Sequence, residues 1–145
     1  MNPTELLQRQ HEEALAVFDE LELTDDDLER VRLLVQVAEK LKTHAALEQD
    51  VFYPAVQAAA PERIEEALAA HRAIDVLLDE AVGTPSGANT KVLRRIIEQH
   101  FADEERTLFA LADAFEYDAA ESLAERLRRY ARAVEDESLA QSPSR

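Results

Sequence analysis

The chain contains four histidines, and each one falls where an amphipathic helix should carry an apolar core residue. Three of them are followed four residues later by a carboxylate on the same helical face. The histidines are His11, His44, His71 and His100, and the carboxylates are Glu48, Asp75 and Glu104. Burying so many ionisable groups is costly unless something satisfies them, and a bound metal cluster is the most economical single partner.

The composition favours one helical domain. The chain has 145 residues with only two glycines and five prolines, and it is rich in Ala, Leu, Glu and Arg, which lose little rotamer freedom in a helix. This length suffices for one compact core and hardly for two. We predict a single domain over residues 1–134 and a flexible tail over residues 135–145.

The composition also excludes several function classes. Without cysteine there are no disulfides, zinc fingers or iron–sulfur clusters, so only imidazole, carboxylate and phenolate remain as ligands, which suit iron and manganese. The net charge of -15, from 16 basic and 31 acidic residues, disfavours binding to nucleic acid or to anionic membranes. No stretch approaches the roughly 18 apolar residues of a membrane span, and no signal segment is recognisable. We therefore expect a soluble cytoplasmic protein.

Helical periodicity divides the chain into four long helices and a shorter fifth one. The first helix is predicted over about 3–21, and the second starts at the capping residues 24–27. Pro54 is expected to kink or end the second helix nearby, and Pro61 to begin the third. Residues 83–89, which hold both glycines, form the clearest loop before the fourth helix, and the fifth covers about 119–134. The pattern predicts an all-α, antiparallel up-down four-helix bundle with a short additional C-terminal helix.

Residues at helical spacing define the predicted core face of each helix. These are Leu7, His11, Ala14, Phe18 and Leu21 in the first; Leu34, Val37, Leu41, His44, Glu48 and Phe52 in the second; Ile64, Leu68, His71, Asp75, Leu78 and Val82 in the third; Leu93, Ile97, His100, Glu104, Leu108, Leu111 and Phe115 in the fourth; and Leu123, Leu127 and Tyr130 in the fifth. All four histidines lie well inside their helices, so an antiparallel bundle can bring them to one cavity.

The chain also contains an approximate internal half-repeat. His44-x3-Glu48 followed by Phe52 is similar to His100-x3-Glu104 followed by Leu108 and Phe109. One His–Glu pair of this kind would ordinarily be a hydrogen-bonded helical pair without metal, but two pairs with two further inward histidines favour a metal centre. Imidazoles supply terminal nitrogens and carboxylates can bridge. The seven side chains thus suffice for two iron ions completed by an oxo or hydroxo bridge, with a position open for dioxygen or peroxide.

These residues resemble the hemerythrin-like, or HHE cation-binding, family in its bacterial form. The resemblance rests on His11, the segments 44–54 and 100–105, and His71, and it spans roughly residues 7–111. It implies a four-helix bundle around a non-haem di-iron centre. It further implies that one iron is bound by His11 and His44, the other by His71 and His100, and that Glu48 and Glu104 bridge the two.

The chain departs from the oxygen-carrying members of this family at Asp75. Those proteins have a further histidine one turn after the third-helix histidine, so reversible oxygen carriage is disfavoured here. An anionic ligand stabilises ferric iron and lowers the reduction potential, which favours reaction with peroxide or another oxidant. Asp75 has two open roles, as a direct ligand or as a group that orients His71 or an iron-bound water.

Two neighbouring residues offer alternatives. Glu105 is an alternative bridge, since oxygen-carrying hemerythrins have their fourth-helix carboxylate at that interval, but the helical face favours Glu104 and we expect Glu105 to be solvated. Tyr53 could act as a phenolate ligand or redox relay. In a regular helix its angle lies well away from that of His44, so ordinary packing beside Pro54 is expected.

The leading functional interpretation is a di-iron protein that reacts with dioxygen or peroxide, including catalase-like decomposition of peroxide. One alternative is a non-enzymatic iron, oxygen or redox sensor, or an oxygen-binding protein. Another is a bundle whose metal only stabilises the fold. Ferritin-like iron oxidation is disfavoured because that fold uses Glu-x-x-His pairs, which are missing from these faces.

Overall fold

The computed structural model describes residues 2–141, and the regular structure of this part is entirely helical. Its five helices are α1 (Glu5–Leu23), α2 (Asp27–Leu47), α3 (Pro61–Gly83), α4 (Gly87–Glu104) and α5 (Tyr117–Gln141). Helix α2 continues through a first π segment, Glu48–Phe52, into Tyr53–Val56. Helix α4 continues likewise through a second π segment, Glu105–Phe109, into Ala110–Asp113. The prediction of an all-α fold is confirmed.

The capping residues set the helix starts as the sequence predicts. The Asp26 side chain accepts a hydrogen bond from the backbone N–H of Leu28 (3.2 Å), and Pro61 occupies the first turn of α3. The α3–α4 loop is shorter than predicted, because Ser86 already caps α4 by accepting from the N–H of Asn89 (3.1 Å). Helix α5 extends past the predicted end near residue 134 to Gln141, and residues 142–145 of the predicted tail lie outside the described residues.

The four long helices form a closed ring of neighbours. Helix α1 packs against α2 and α4, and α3 packs against the same two helices. The connections are short, so consecutive helices run antiparallel, as predicted. Helix α5 lies across α1, α2 and the first π segment, and its 25 residues make it longer than the short helix that the sequence indicated. No helix within residues 2–141 combines the length and the apolar character needed to cross a membrane.

Buried apolar side chains form two clusters, one at each end of the bundle. Core A includes Phe18, Leu34 and Ile97, and core B includes Phe52 and Phe109. Each long helix passes from one core to the other at its histidine: His11 lies between Leu7 and Ala14, His44 between Leu41 and Leu47, His71 between Ala67 and Ile74, and His100 between Ile97 and Leu108. The four histidines therefore form a polar layer with apolar side chains on both sides.

The predicted core faces of α1 and α2 are confirmed, but that of α3 is shifted. Its buried residues are Ile64, Ala67, His71, Ile74, Leu78 and Ala81. The sequence predicted Leu68, Asp75 and Val82 to be buried, whereas the buried residues are Ala67, Ile74 and Ala81. Both registers place apolar residues three and four apart and share His71, so periodicity alone does not separate them. As a result, Asp75 is exposed.

The second π segment changes the core face at the end of the fourth helix. The regular pattern predicted Leu111 and Phe115, which are only half-buried, whereas Phe109 and Ala112 are fully buried. A π segment inserts an extra residue into the helical turn, so the side chains that follow are rotated relative to a regular α-helix. Pro54 lies just after the first π segment. The helix ends two residues later at Val56, as predicted.

Replacing Phe109 tests this rotation. Its ring packs edge to face on that of Phe52, with centroids 5.2 Å apart. We expect Phe109→Ala to lower the free energy of unfolding by about 3–5 kcal/mol, the usual cost of emptying a buried aromatic site. Phe115→Ala, the matched control, should cost clearly less. Denaturant unfolding measures both, and a larger loss for Phe115→Ala would contradict the π register.

Candidate metal centre

The polar layer brings together six of the seven side chains singled out from the sequence. They form two adjacent groups, each able to present four donor atoms within 4.8 Å of one another: His11, His44, Glu48 and Glu104 in the first group, and Glu48, His71, His100 and Glu104 in the second. All six are buried. Both carboxylates belong to both groups, so they lie where bridging ligands of a dinuclear site would lie.

In the first group two imidazoles face each other. The Nε2 atoms of His11 and His44 are 3.1 Å apart, although at most one of them can donate to the other. Nε2 of His11 also lies 3.3 Å from Oε1 of Glu104, and Nε2 of His44 lies 3.2 Å from Oε1 of Glu48. Two imidazole lone pairs and two carboxylates directed at one small volume are a suitable environment for a cation.

The second group repeats this arrangement on the other side of the carboxylates. Nε2 of His71 lies 3.1 Å from Oε1 of Glu48, and Nε2 of His100 lies 3.6 Å from Oε2 of Glu104. Glu48 thus links His44 to His71, and Glu104 links His11 to His100. The first group contains the histidine of one half of the internal repeat, His44, and the second group contains the histidine of the other half, His100.

Three buried atoms of this layer have no hydrogen-bond partner within the described residues: Oε2 of Glu48, Oε1 of Glu104 and Nε2 of His100. Leaving a buried polar atom unpaired costs about 1–3 kcal/mol, and more for a charged group. All three are good ligand atoms for iron, manganese or zinc. The donor set therefore fits a pair of transition-metal ions.

Further side chains orient the imidazoles of the first group. Nδ1 of His11 donates to Oε2 of Glu105 (2.8 Å), and Nδ1 of His44 donates to Oε1 of Gln10 (2.7 Å). With the proton on Nδ1, the Nε2 lone pair remains free for a metal. The His11 ring also stacks on Phe101, with centroids 3.7 Å apart. Glu105 is exposed, as expected, with 45% of its side chain accessible, and its carboxylate also orients His11.

Tyr53 lies inside the site, and the expectation that it merely packs beside Pro54 was wrong. Its hydroxyl donates to Oε2 of Glu104 (2.5 Å) and lies 3.1 Å from Nε2 of His71 and 3.4 Å from Oε1 of Glu48. The first π segment explains this, because the backbone N–H of Tyr53 bonds to the carbonyl of Glu48 five residues earlier. In this wider turn Tyr53 falls on the same face as Glu48.

Burial and mutual charge control the ionisation of the layer without a cation. Burial lowers the pKa of His11 and of His100 to about 4, so both imidazoles are neutral at physiological pH. Burial and the charge of Glu48 raise the pKa of Glu104 well above its usual value. Burial also opposes ionisation of Glu48, but the adjacent His44 and hydrogen bonds from its neighbours hold the pKa of Glu48 low. One carboxylate of the pair therefore keeps a proton, which a bound cation would displace.

Asp75 belongs to neither group. It is exposed and lies at the rim of a small space of about 20 Å³ that His44, His71 and His100 also border.

Two glutamines that the sequence did not single out also contact the imidazoles. The amide of Gln10 lies 2.7 Å from Nδ1 of His44, and the amide of Gln49 lies 3.2 Å from Nδ1 of His71. Neither glutamine belongs to a motif that would have marked it.

Comparison with protein families agrees with this geometry. The sequence model of the hemerythrin HHE cation binding domain matches residues 2–112, most of the chain, and the protein belongs to this family. Neither the curated proteins nor the solved structures compared with the chain gave a match. The chain is thus a hemerythrin-family cation-binding domain with two adjacent buried His/Glu groups, which indicate a dimetal site.

Proposed function

We propose that the protein binds two non-haem iron ions and reacts with dioxygen or hydrogen peroxide. His11 and His44 would hold one ion, His71 and His100 the other, and Glu48 and Glu104 would bridge them together with an oxo or hydroxo group. The observation that carries this proposal is that two donor groups share both carboxylates and leave three buried ligand atoms unpaired. Neutral imidazole and carboxylate are donors that suit iron.

Tyr53 is the further donor in this proposal, in the role that the sequence left open for Asp75. Its hydroxyl contacts Glu48, His71 and Glu104, three of the four residues of the second group. Burial, with the charge of Glu48 and the hydrogen bond to Glu104, raises the pKa of Tyr53, so the phenol keeps its proton in the metal-free site. A metal ion reverses this effect, because its positive charge favours the phenolate.

The surrounding residues make the site suitable for oxidant chemistry rather than for oxygen carriage. Bound iron would supply one-electron redox chemistry and an open coordination position. Core A and core B cover the layer at its two ends, while the small space beside His44, His71 and His100 has room for about one water-sized molecule. Anionic donors stabilise ferric iron and lower its potential, which favours reaction with peroxide over reversible binding of dioxygen.

Iron content tests the assignment of the ligands. The purified protein should contain two irons per chain, one for each donor group. Glu48→Gln replaces a shared carboxylate with a weakly coordinating amide and should lose most of the iron. The same chemical change at the exposed Asp75, Asp75→Asn, should leave the iron content unchanged. Metal analysis reports both variants, and a Glu48→Gln protein with the full iron content would contradict the proposed bridge.

Peroxide turnover tests the activity. Iron-loaded protein mixed with hydrogen peroxide should release one molecule of dioxygen for each pair of peroxides consumed, over many cycles, as an oxygen electrode would show. Glu48→Gln carried through the same loading procedure controls for free iron. A single spectral change without continuing release of dioxygen would favour the sensor alternative. Clean reversible oxygenation of the reduced protein, with full release under vacuum, would contradict oxidant handling.

Tyr53→Phe tests the phenolate. The iron-loaded wild-type protein should show a visible charge-transfer band that Tyr53→Phe lacks, while the iron content of the two proteins stays equal because six donors remain. Tyr130→Phe removes the hydroxyl that donates to Asp50 outside the site and should keep the band. An identical visible spectrum for wild type and Tyr53→Phe would rule out Tyr53 as a ligand.

A further inference from the structure

A cavity of about 340 Å³ lies between α3 and α4 and reaches the second donor group. Its lining includes Ala67, Ala70 and Ala73 from α3, and Ile96 and His100 from α4. Resting on the proposed function, we propose that this cavity is the route by which small uncharged solutes of the size of hydrogen peroxide reach the metal centre, and that Ala70 determines its width.

The inner end of the cavity is formed by ligand residues whose atoms are unpaired. His100 and Glu104 both line it, and they are only 8% and 2% exposed. Nε2 of His100 and Oε1 of Glu104 have no hydrogen-bond partner within the described residues. A solute that enters from the surface through this cavity therefore arrives beside the two residues that carry these buried donor atoms.

The width of the cavity follows from the side chains of α3. The three alanines are spaced by three residues on the face that turns towards α4, and none extends beyond Cβ. On the α4 side the wall is formed by larger residues, including Ile96 and Leu108. A larger side chain at Ala70 would project into the opening between the two helices.

The net charge of the chain disfavours the approach of anions. At the mouth itself the charges are paired, because Glu66 lies 3.7 Å from Arg63 and Asp103 lies 2.6 Å from Arg106. An adjoining groove on the surface adds Glu62, and the chain as a whole has a net charge of -15. Acidic surroundings reduce the local concentration of anions and leave neutral molecules unaffected.

The opposite side of the layer offers a much narrower opening. The space of about 20 Å³ beside the histidines is bordered there by Leu41, Ala45, Ile74 and Phe101, and it holds about one water. An entry route on that side would require these side chains to move, whereas the α3–α4 cavity is already open. Ala45→Leu therefore serves as the test of the competing route.

The experiment measures association of nitric oxide, a neutral ligand of ferrous iron, with the reduced iron-loaded protein by stopped-flow absorption. The variants are Ala70→Leu, Ala73→Leu as a second lining position, and Ala69→Leu as a matched control at an exposed position outside the cavity. We expect Ala70→Leu to slow association by roughly tenfold, since the added isopropyl group must be displaced on entry. Ala69→Leu and Ala45→Leu should bind at the wild-type rate.

Azide provides the second probe, because it is an anion that binds ferric iron. Its association should be slow at low salt and accelerate as salt screens the negative charge of the chain, while the rate for nitric oxide stays constant. If the iron content is normal, wild-type nitric oxide rates in both Ala70→Leu and Ala73→Leu, or slowing by Ala45→Leu instead, would overturn the proposed route but not the proposed function. A wild-type protein that takes up no iron would overturn the proposed function as well.

Discussion

The fold depends on two carboxylates held between four imidazoles in the apolar centre of the bundle. Moving a carboxylate out of water costs several kcal/mol, and the imidazoles and hydrogen bonds around Glu48 and Glu104 offset only part of this cost. Without a cation the pair keeps one proton and three ligand atoms stay unpaired. Two metal ions would satisfy all of these atoms at once, so folding of the bundle and binding of cations are thermodynamically linked.

The two π segments connect this polar layer to core B. Each begins at or directly after the glutamate of a His-x3-Glu motif, so the internal half-repeat of the sequence is also a repeat of backbone geometry. The wider turns rotate the residues that follow, which brings Tyr53 to the carboxylates and Phe109 into the core. The two α-helices are thus distorted next to the buried His/Glu groups, and π segments are often found at functional sites.

The sequence predicted the layer because polar residues on apolar helical faces are a strong signal, and in α1 and α2 every residue of the predicted core face is buried. It did not resolve α3, where Ala67, Ile74 and Ala81 compete with Leu68, Asp75 and Val82 for the same stripe. The π segments were not predictable, since periodicity assumes a regular helix. The same assumption led to the wrong prediction that Tyr53 lies away from the site. Gln10 and Gln49 were missed because orienting side chains need only reach an imidazole, which imposes no spacing.

The two donor groups, although related by the repeat, have different surroundings. His11 is enclosed: Phe101 and Phe109 stack on its ring, Glu105 fixes its tautomer, and it borders neither of the two cavities at the layer. His100 borders both cavities and leaves Nε2 unpaired. Helix α5 lies across α1, α2 and the first π segment, and none of the described residues that line the α3–α4 cavity belongs to it. A dinuclear centre in this frame would be asymmetric, because the first group has a histidine away from both cavities whereas both histidines of the second group border a cavity, so exogenous ligands would meet the second group first.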